Sequence, residues 1–278
     1  MKIFAIFGNP IKHSKSPIIH KLFANQLNII QQYKKIYVPI DKFNNIINNF
    51  FKNGGYGANI TIPFKKKAYN ICDFLTDRGI KSGVVNTLKI IKNNKILGDN
   101  TDGIGLLKDL QKIKFIHKNS NILLLGAGGA AKGIIYSIIN FGCKITIVNR
   151  TYKNSYNLLK FFNNKKNISI IKIEDIDNII NNKKINYDLI INATSSSIKG
   201  EVPKISSKII HSNIFCYDLF YSINITPFLE WCLYHGAKKI SDGIGMLIEQ
   251  AAYSFFLWHG VMPNTELILK QFKKKYFF

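Results

Sequence analysis

Two carboxylates interrupt a strongly basic sequence. The segment LGDNTDGIG, residues 97–105, carries Asp99 and Asp102 beside Asn100 and Thr101, among three glycines. The whole chain has 39 Lys and Arg against 16 Asp and Glu, a formal charge of +23. A solvated turn would explain such a segment, and so would a polar pocket in which a carboxylate holds a partner. These residues alone leave both interpretations open.

A glycine-rich segment, LLLGAGGAAKG at 123–133, has the layout of a dinucleotide-binding fingerprint. Gly126 would allow a tight turn from strand to helix, and Gly128 would let the backbone approach a pyrophosphate. The small Ala131 would allow the helix to pack closely on the strand, with helix N–H groups facing the phosphates. The apolar strand before it and the helical pattern after it favour this interpretation over a glycine-rich turn without a ligand.

The next predicted strand, KITIVNR at 144–150, indicates which dinucleotide would bind. NAD enzymes place an acid about 20 residues after the first glycines to hold the ribose 2′-hydroxyl. Here the strand ends in Asn149, Arg150 and Thr151 instead. An arginine suits a 2′-phosphate because it forms charge-assisted hydrogen bonds. The sequence therefore favours NADP.

Strand-like and helix-like segments alternate along the chain, which predicts α/β architecture with largely parallel sheets. A predicted hairpin in the first half turns at Asn93 and Asn94. The segment SDGIGMLIEQAAYSFFLWHGVMP has the pattern of a helix, with Ser241 or Asp242 as N-cap and Gly260 at its C-terminal end.

Composition excludes several classes of protein. The 46% hydrophobic and 13% aromatic residues are typical of a globular chain, not a disordered one. No apolar run approaches the roughly 18–20 residues of a membrane span, and MKIFAIFGNP reads as a first strand instead of a signal peptide. Four scattered cysteines without clustered histidines argue against a metal site and a disulfide scaffold. We expect a cytoplasmic protein with no membrane partner and no metal.

The charge of +23 suggests nucleic acid as a partner. Excess Lys accompanies excess Ile and Asn, however, and all three have A/T-rich codons, so drift in composition explains the charge as well. The lysines are also spread along the chain. We expect no specific nucleic-acid partner, and a basic nucleic-acid-binding protein is the alternative from another class.

Short segments over nearly the whole chain resemble shikimate dehydrogenase, in the same order. They are FGNPIKHSKSP, GANITIPFKKKA, VVNTL, GDNTDGIG, GAGGA, NRT, NATSS and DGIGMLIEQAA. The resemblance implies reversible NADPH-dependent reduction of 3-dehydroshikimate to shikimate, a step in the biosynthesis of aromatic amino acids. The nearest alternative enzyme is a quinate/shikimate dehydrogenase with relaxed cofactor use.

The resemblance also implies two α/β domains with the active site in the cleft between them. Residues 1–101 would form the substrate-binding and catalytic domain, with the C-terminal helices of 241–278 packing back on it. Residues 102–240 would form a Rossmann-type NADP-binding domain. We expect a monomer or a homodimer.

Catalytic roles follow from the same resemblance. Chemistry alone does not choose among Lys65, Lys66 and Lys67, but the family's PFK motif selects Lys65 as the general acid/base. Lys65 would stabilise the charge that develops on the substrate carbonyl oxygen and supply the proton. Asp102 would bind a substrate hydroxyl and hold the lysine in register, and Asp99 would be a turn or hinge residue.

The implied substrate-binding set is Ser14, Ser16, Asn59, Thr61, Lys65, Asn86, Asp102, Tyr221 and Gln250. The two serines would hydrogen-bond the substrate carboxylate. Ser16 before Pro17 is also typical of a helix N-cap, so a capping role without a ligand explains Ser16 but not Ser14.

Alternation along GANITIPFK predicts that Asn59 and Thr61 point outward from a strand that buries Ile60 and Ile62. Gln250 lies on an otherwise apolar helix face. A core polar group with internal partners is the alternative interpretation of that glutamine.

The implied cofactor-binding set is Asp77, Gly126, Ala127, Gly128, Gly129, Ala130, Asn149, Arg150, Thr151, Lys153, Asn154, Leu219 and Gly243. Three positions depart from the family pattern. Asn154 stands where NRT-x-x-R has arginine, which leaves Lys153 as a substitute cation. Leu219 stands where many relatives have Met, and Ser197 stands where Gly is frequent, in a loop near the nicotinamide.

Overall fold

The computed structural model describes residues 1–163, 166–181 and 186–276. The chain forms two compact units, Met1–Leu106 with Leu247–Phe278 and Leu107–Met246. Each unit is a sheet covered by helices, which confirms the predicted α/β class. The domain boundaries drawn from the sequence, after residues 101 and 240, stay a prediction.

The first unit has a mixed sheet. Its strands are β1 (Lys2–Gly8), β2 (Gln31–Tyr37), β3 (Gly55–Ile60), β4 (Phe74–Leu75), β5 (Thr87–Ile90) and β6 (Ile96–Asp99), and the helices between and after them are α1 (Ser16–Gln26), α2 (Phe43–Lys52), α3 (Lys65–Asn70), α4 (Asp77–Ser82) and α5 (Asp102–Lys112). The order is β2-β1-β3-β5-β6-β4. β5 runs antiparallel to both of its neighbours, β3 and β6. The predicted hairpin joins β5 to β6, with Asn93 and Asn94 in the left-handed region.

The second unit has a parallel sheet. Its strands are β7 (Asn121–Leu125), β8 (Lys144–Val148), β9 (Ile168–Ile171), β10 (Leu189–Asn192), β11 (Phe215–Asp218) and β12 (Lys239–Ser241), and its helices are α6 (Gly129–Phe141), α7 (Tyr152–Phe161), α8 (Ile176–Asn181) and α9 (Pro227–Tyr234). The order β12-β11-β10-β7-β8-β9 is that of a doubly wound fold. The order reverses between β7 and β10, so the loops after these strands lie where such folds bind ligands.

Hydrophobic runs explain why the parallel strands form. The central strand NILLL is buried on both faces, as expected for a parallel sheet with helices on each side. α6 ends at Gly142 with φ +105°, the left-handed conformation that glycine adopts without strain. Both features match the sequence-based predictions.

The last two helices are α10 (Ile244–His259) and α11 (Thr265–Tyr276), and the chain from Leu247 onward belongs to the first unit. Trp258 is buried, packs on Phe4 with ring centroids 4.6 Å apart and donates its indole N–H to Leu88 O at 2.9 Å. α10 begins at Ile244, so its capping position is Gly243, one residue after the predicted Asp242. The Asp242 carboxylate nevertheless accepts from the N–H of Ile244 at 3.3 Å.

The described part of the chain contains neither a membrane-spanning helix nor a metal site. None of its helices is long and apolar enough to cross a membrane. Among the same residues no group of His, Cys, Asp or Glu side chains is placed to hold a metal ion. The four cysteines are free thiols.

Candidate active site and cofactor site

Lys65 and Asp102 form an ion pair in the first unit. Each is the first residue of a helix, α3 and α5, and the Lys65 Nζ lies 2.6 Å from the Asp102 Oδ2. The lysine side chain is 16% exposed and the aspartate side chain 7%. The neighbouring Lys66 and Lys67 are exposed. The structure therefore singles out Lys65 from a run in which chemistry alone could not choose.

Asn86 holds the second oxygen of the same carboxylate. Its amide nitrogen donates to Asp102 Oδ1 at 2.9 Å and lies 3.2 Å from Gln250 Oε1. Its amide oxygen accepts from the N–H of Thr101 at 2.9 Å. Asn86 is 3% exposed, and this buried arrangement fixes its orientation. Four of the predicted site residues, the ion pair with Asn86 and Gln250, thus lie together.

Gln250 has internal partners for both ends of its amide. Besides the Asn86 contact to Oε1, its nitrogen donates to Leu247 O at 2.7 Å, one turn earlier in α10. Gly105 of α5 lies against it, where a Cβ would be 2.6 Å from the Gln250 backbone nitrogen. Gln250 therefore has the hydrogen bonds expected of a polar group with internal partners. A direct contact between Gln250 and the substrate stays a prediction.

A layer of hydroxyl groups lies behind these residues, and it was not predicted from the sequence. Ser254 and Thr87 are fully buried, and their hydroxyl oxygens are 2.7 Å apart. Ser254 also lies 3.2 Å from Thr101 Oγ1 and donates to Gln250 O at 3.1 Å. The four-residue spacing of Gln250 and Ser254 on one helix face was the signal that could have indicated this layer.

The outward orientation predicted for Asn59 is wrong. Asn59 is 6% exposed, and its amide nitrogen donates to Ser254 Oγ at 3.0 Å and to Asn86 O at 3.2 Å. Its amide oxygen accepts from the Tyr33 hydroxyl at 2.7 Å. Ile62, predicted to be buried, is 51% exposed. The alternation fails because β3 ends before residue 61 and is buried on both faces.

Tyr33, in β2, was not among the predicted site residues. Its hydroxyl meets Asn59, and burial raises the pKa of Tyr33 well above its usual range, an effect that a hydrogen bond with Ser16 partly offsets. The phenol therefore stays protonated and can donate.

Ser14 and Ser16 lie side by side. Their hydroxyl oxygens are 3.3 Å apart, and the N–H of Ser16 donates to Ser14 Oγ at 3.3 Å. The N-cap assignment of Ser16 is wrong by one residue, since α1 begins at Ser16 and Lys15 is the capping position, without a side-chain hydrogen bond. Ser14 supplies the oxygen that meets the first turn instead.

Asp99 is not a turn or hinge residue. It is fully buried at the end of β6, and its carboxylate accepts hydrogen bonds from Thr76 Oγ1 and from both Nε and Nη2 of Arg78. A buried carboxylate requires such partners. The two acids of the opening segment therefore differ: Asp99 is enclosed in a structural ion pair, and Asp102 meets Lys65.

Three further predicted site residues lie in other segments of the chain. Thr61 is half-buried in the turn between β3 and α3. Asp77 is exposed at the start of α4 in the first unit, whereas the other predicted cofactor contacts are in the second. Tyr221 is half-buried in the second unit, after β11. Their roles stay predictions.

The glycine-rich turn has the geometry that its sequence predicted. Gly126 has φ +107°, and a Cβ there would lie 3.0 Å from Ala193 O. Gly128 and Gly129 are exposed, and a Cβ on either would meet no described atom within 4 Å. Ala131 is fully buried against the strand. The open space beside two glycines at a helix N-terminus fits a pyrophosphate.

The loop after β8 is exposed. Asn149 donates from its side chain to Thr151 O at 2.9 Å, which orders the turn into α7. The exposed side chains on this turn are Arg150, Thr151, Lys153 and Asn154, and the half-buried Ala127 and Ala130 flank the exposed glycines of the neighbouring turn. A cation on such a turn can reach a 2′-phosphate.

Leu219 and Gly243, both predicted cofactor contacts, touch each other. A Cβ at Gly243 would lie 2.2 Å from Leu219 O, so only glycine fits. The N–H of Gly243 donates to Phe220 O at 3.0 Å. The structure brings this pair together at the carboxyl end of β11.

Models of known protein families match three successive parts of the chain. Three family models match: the shikimate dehydrogenase substrate binding domain over residues 6–88, shikimate / quinate 5-dehydrogenase over 109–212, and the shikimate 5′-dehydrogenase C-terminal domain over 243–271.

Solved structures are similar over the full length. An Ael1 enzyme from Pseudomonas putida is 33% identical, with 98% of each chain covered and a TM-score of 0.87. A shikimate dehydrogenase in complex with NADP+ is 30% identical, with 99% of this chain and 96% of that chain covered and a TM-score of 0.85. Shikimate 5-dehydrogenase from Thermus thermophilus, in complex with NADP(H) and shikimate, is 25% identical, with 99% of each chain covered and a TM-score of 0.85. These matches confirm the resemblance found in the sequence, and the chain belongs to the shikimate dehydrogenase family.

Proposed function

We propose that this chain catalyses the reversible NADPH-dependent reduction of 3-dehydroshikimate to shikimate. Its family and the NADP(H) and shikimate complexes of its relatives support the reaction class. The observation that carries the proposal is the shielded ion pair of Lys65 and Asp102, whose carboxylate is also held by Asn86. A positioned ammonium group is what the reduction of a carbonyl requires beside its hydride donor.

NADPH, when bound, supplies the hydride for the substrate carbonyl carbon. Lys65 stabilises the negative charge that develops on the carbonyl oxygen and then gives that oxygen a proton from Nζ. In the reverse direction Lys65 takes the proton from the hydroxyl group. The partial exposure of the lysine, 16%, is compatible with contact to a substrate.

The two oxygens of Asp102 have different partners. Oδ2 holds the ammonium group of Lys65 and Oδ1 accepts from Asn86, so the carboxylate cannot rotate without losing a hydrogen bond. A carboxylate oxygen has more than one lone pair, and a substrate hydroxyl can donate to the same group. Asp102 thereby orients lysine and substrate together.

The residues present fit NADP. The exposed glycines 128 and 129 at the start of α6 would take the pyrophosphate, and Arg150 would take the 2′-phosphate, with Lys153 as a second cation. Ser14 and Ser16 are the proposed donors to the substrate carboxylate.

The test is a steady-state assay of NADP+ and NAD+ reduction with shikimate and with quinate, on the full chain. We expect turnover with shikimate and NADP+, and a lower kcat/KM with NAD+. Higher kcat/KM with quinate or with NAD+ would replace the proposal by the broader quinate/shikimate activity. Absence of turnover with all four combinations, from folded protein, would refute it.

A further inference from the structure

A buried carboxylate lies at the ligand-binding edge of the parallel sheet. Asp218 is the last residue of β11 and is fully buried. In register beside it is Asn192, the last residue of β10, which in turn pairs with Leu125 at the end of β7. Three neighbouring strands therefore end at the same level, where doubly wound folds bind their ligands.

The Asp218 carboxylate accepts four hydrogen bonds. Its Oδ2 accepts from the hydroxyls of Ser197 at 2.6 Å and Thr226 at 2.7 Å, and its Oδ1 accepts from Phe220 N at 3.0 Å and Asn192 Nδ2 at 3.2 Å. We call Asp218, Asn192, Ser197 and Thr226 the Asp218 cluster. Burial raises the pKa of Asp218, and the hydrogen bonds counteract that rise. These donors make a buried carboxylate tolerable.

The cluster holds the loop after β10 at two points. The Asn192 amide oxygen accepts from the N–H of Thr194 at 3.1 Å and from its hydroxyl at 2.7 Å, which fixes the first residues of the loop. Ser197, which is 4% exposed, ties the middle of the loop to Asp218. Ala193 lies within the first attachment, and a Cβ on Gly126 would be 3.0 Å from its carbonyl oxygen. The loop thus borders the proposed pyrophosphate site.

The same carboxylate holds the loop after β11. Its hydrogen bond from Phe220 N fixes the segment that carries Leu219, and Phe220 O accepts from the N–H of Gly243. Thr226, which donates to Asp218, also caps α9 through Leu229 N at 3.4 Å. One buried group therefore positions both loops that flank the proposed cofactor site.

We propose that Ser197 is a positioning residue for NADP(H), fixing the loop of residues 193–200 through Asp218. This inference rests on the proposed function, which supplies the ligand. Without the Ser197 hydroxyl the loop loses its hydrogen bond to Asp218 and the one that Ser197 accepts from Asn192 Nδ2 at 3.3 Å. It keeps its attachment at residues 192–194 and the contact between the Thr194 and Ser196 hydroxyls, and Asp218 keeps three donors. The loop then samples more conformations before binding, and the cost appears as weaker affinity for the cofactor.

The test measures NADP+ affinity by isothermal titration calorimetry in the absence of substrate. Ser197→Ala should raise the Kd for NADP+ by up to about tenfold, the cost of ordering the loop when the cofactor binds. Ser197→Gly should raise it similarly and serves as a second variant if the alanine variant folds poorly. Ser206→Ala is the matched control, because the Ser206 hydroxyl also makes a hydrogen bond within this unit, accepting from Lys208 N at 3.4 Å, and its loss should leave the Kd unchanged.

Amide hydrogen exchange on the unliganded protein separates positioning from general stability. In Ser197→Ala, exchange should accelerate in residues 193–200, while amides of β7 and β10 keep wild-type protection. The KM for shikimate should stay within twofold of wild type. Acceleration throughout the second unit would overturn the inference and leave Ser197 a structural residue.

A third variant separates this inference from the proposed cofactor site. If Arg150→Ala weakens NADP+ binding and both Ser197 variants bind within twofold of wild type, the positioning role is wrong and the site stands. If Arg150→Ala and the Ser197 variants all bind like wild type, the proposed cofactor site itself is wrong.

Discussion

Lys65 and Asp102, 37 residues apart in sequence, meet with 2.6 Å between Nζ and Oδ2. Both stand at the first position of a helix, and neither side chain is more than 16% exposed. The first turn of a helix favours the negative charge of Asp102 through its unpaired N–H groups, and the lysine neutralises that charge in a partly shielded site. An ammonium group is thereby held in a fixed place.

Removing the lysine tests its chemical role. Lys65→Ala should lower kcat by roughly 10²–10⁴, the usual effect of losing a general acid/base, with a much smaller change in the KM for shikimate. The matched control is Lys66→Ala, an exposed lysine of the same helix, which should keep wild-type kcat. Steady-state kinetics with NADP+ measures both, and near-wild-type turnover in Lys65→Ala would move the role to another residue.

Asp102→Asn keeps the shape of the side chain and removes its charge. We expect kcat to fall and the KM for shikimate to rise, each by about 10- to 100-fold, because hydrogen bonds to charged groups are worth about 1.5–3 kcal/mol. Asp41→Asn, at an exposed aspartate of the same unit, is the control and should change neither constant. A change in kcat alone would show that Asp102 acts only through the lysine.

The NADP preference should rest mainly on Arg150. Arg150→Ala should cost about 1.5–3 kcal/mol in kcat/KM for NADP+, as for lost hydrogen bonds to a charged group. Asn154→Arg restores the cation that NRT-x-x-R provides and should tighten NADP+ without affecting NAD+. The measurement is kcat/KM for both cofactors in each protein. An unchanged NADP/NAD ratio in Arg150→Ala would refute the phosphate-binding role of this turn.

His20 should make the first unit sensitive to acid. It is fully buried, its ring stacks on Tyr33 with centroids 4.4 Å apart, and neither ring nitrogen has a hydrogen-bond partner among the described residues. Burial lowers the pKa of His20 to about 3 from 6.5. The unfolded chain therefore takes up a proton below about pH 6.5 and the folded chain does not, so stability is full above that pH and falls as the pH drops toward 3.

This acid sensitivity has a defined size. Between pH 7 and pH 5 the His20 contribution to the free energy of unfolding should fall by about 2 kcal/mol. In His20→Phe the free energy of unfolding should fall by about 2 kcal/mol less between these pH values than in wild type. His13→Phe, which replaces an exposed histidine, should show the wild-type change. Urea unfolding at the two pH values measures it. An equal pH dependence in His20→Phe and wild type would refute the prediction.

The charge of +23 should have no binding role. Scattered lysines make a few phosphate contacts at low salt, and such contacts are lost steeply as salt rises. We expect nucleic-acid binding, if detected at low salt, to disappear at physiological salt in a fluorescence anisotropy titration. Sub-micromolar, sequence-selective binding at that salt would contradict this.

The sequence by itself determined the architecture of the second unit and the place of its glycine turn. The run NILLL, the glycines that follow and the helix up to Gly142 are local signals, since each depends on neighbours within a few residues. The same holds for the hairpin at Asn93 and Asn94, whose left-handed backbone suits asparagine.

The proposed catalytic pair could be named only through resemblance to a family. The local sequence does not distinguish the three adjacent lysines from one another. Lys65 differs from the other two because it pairs with Asp102, which belongs to another helix. Asp99 looked like a companion of Asp102 in a turn, yet Arg78 and Thr76 enclose it.

Only the tertiary structure decided the orientation of Asn59 and the partners of Asp218. Alternation of polar and apolar residues predicts which way a side chain points only when one face of the strand is in contact with water. Because β3 is buried on both faces, Asn59 points into the layer around Ser254. Asp218 gains Ser197 and Thr226 from separate loops that converge because parallel strands end at one edge. Hydrogen bonds between residues distant in the chain leave no periodic pattern, and their geometry exists only once the sheet has formed.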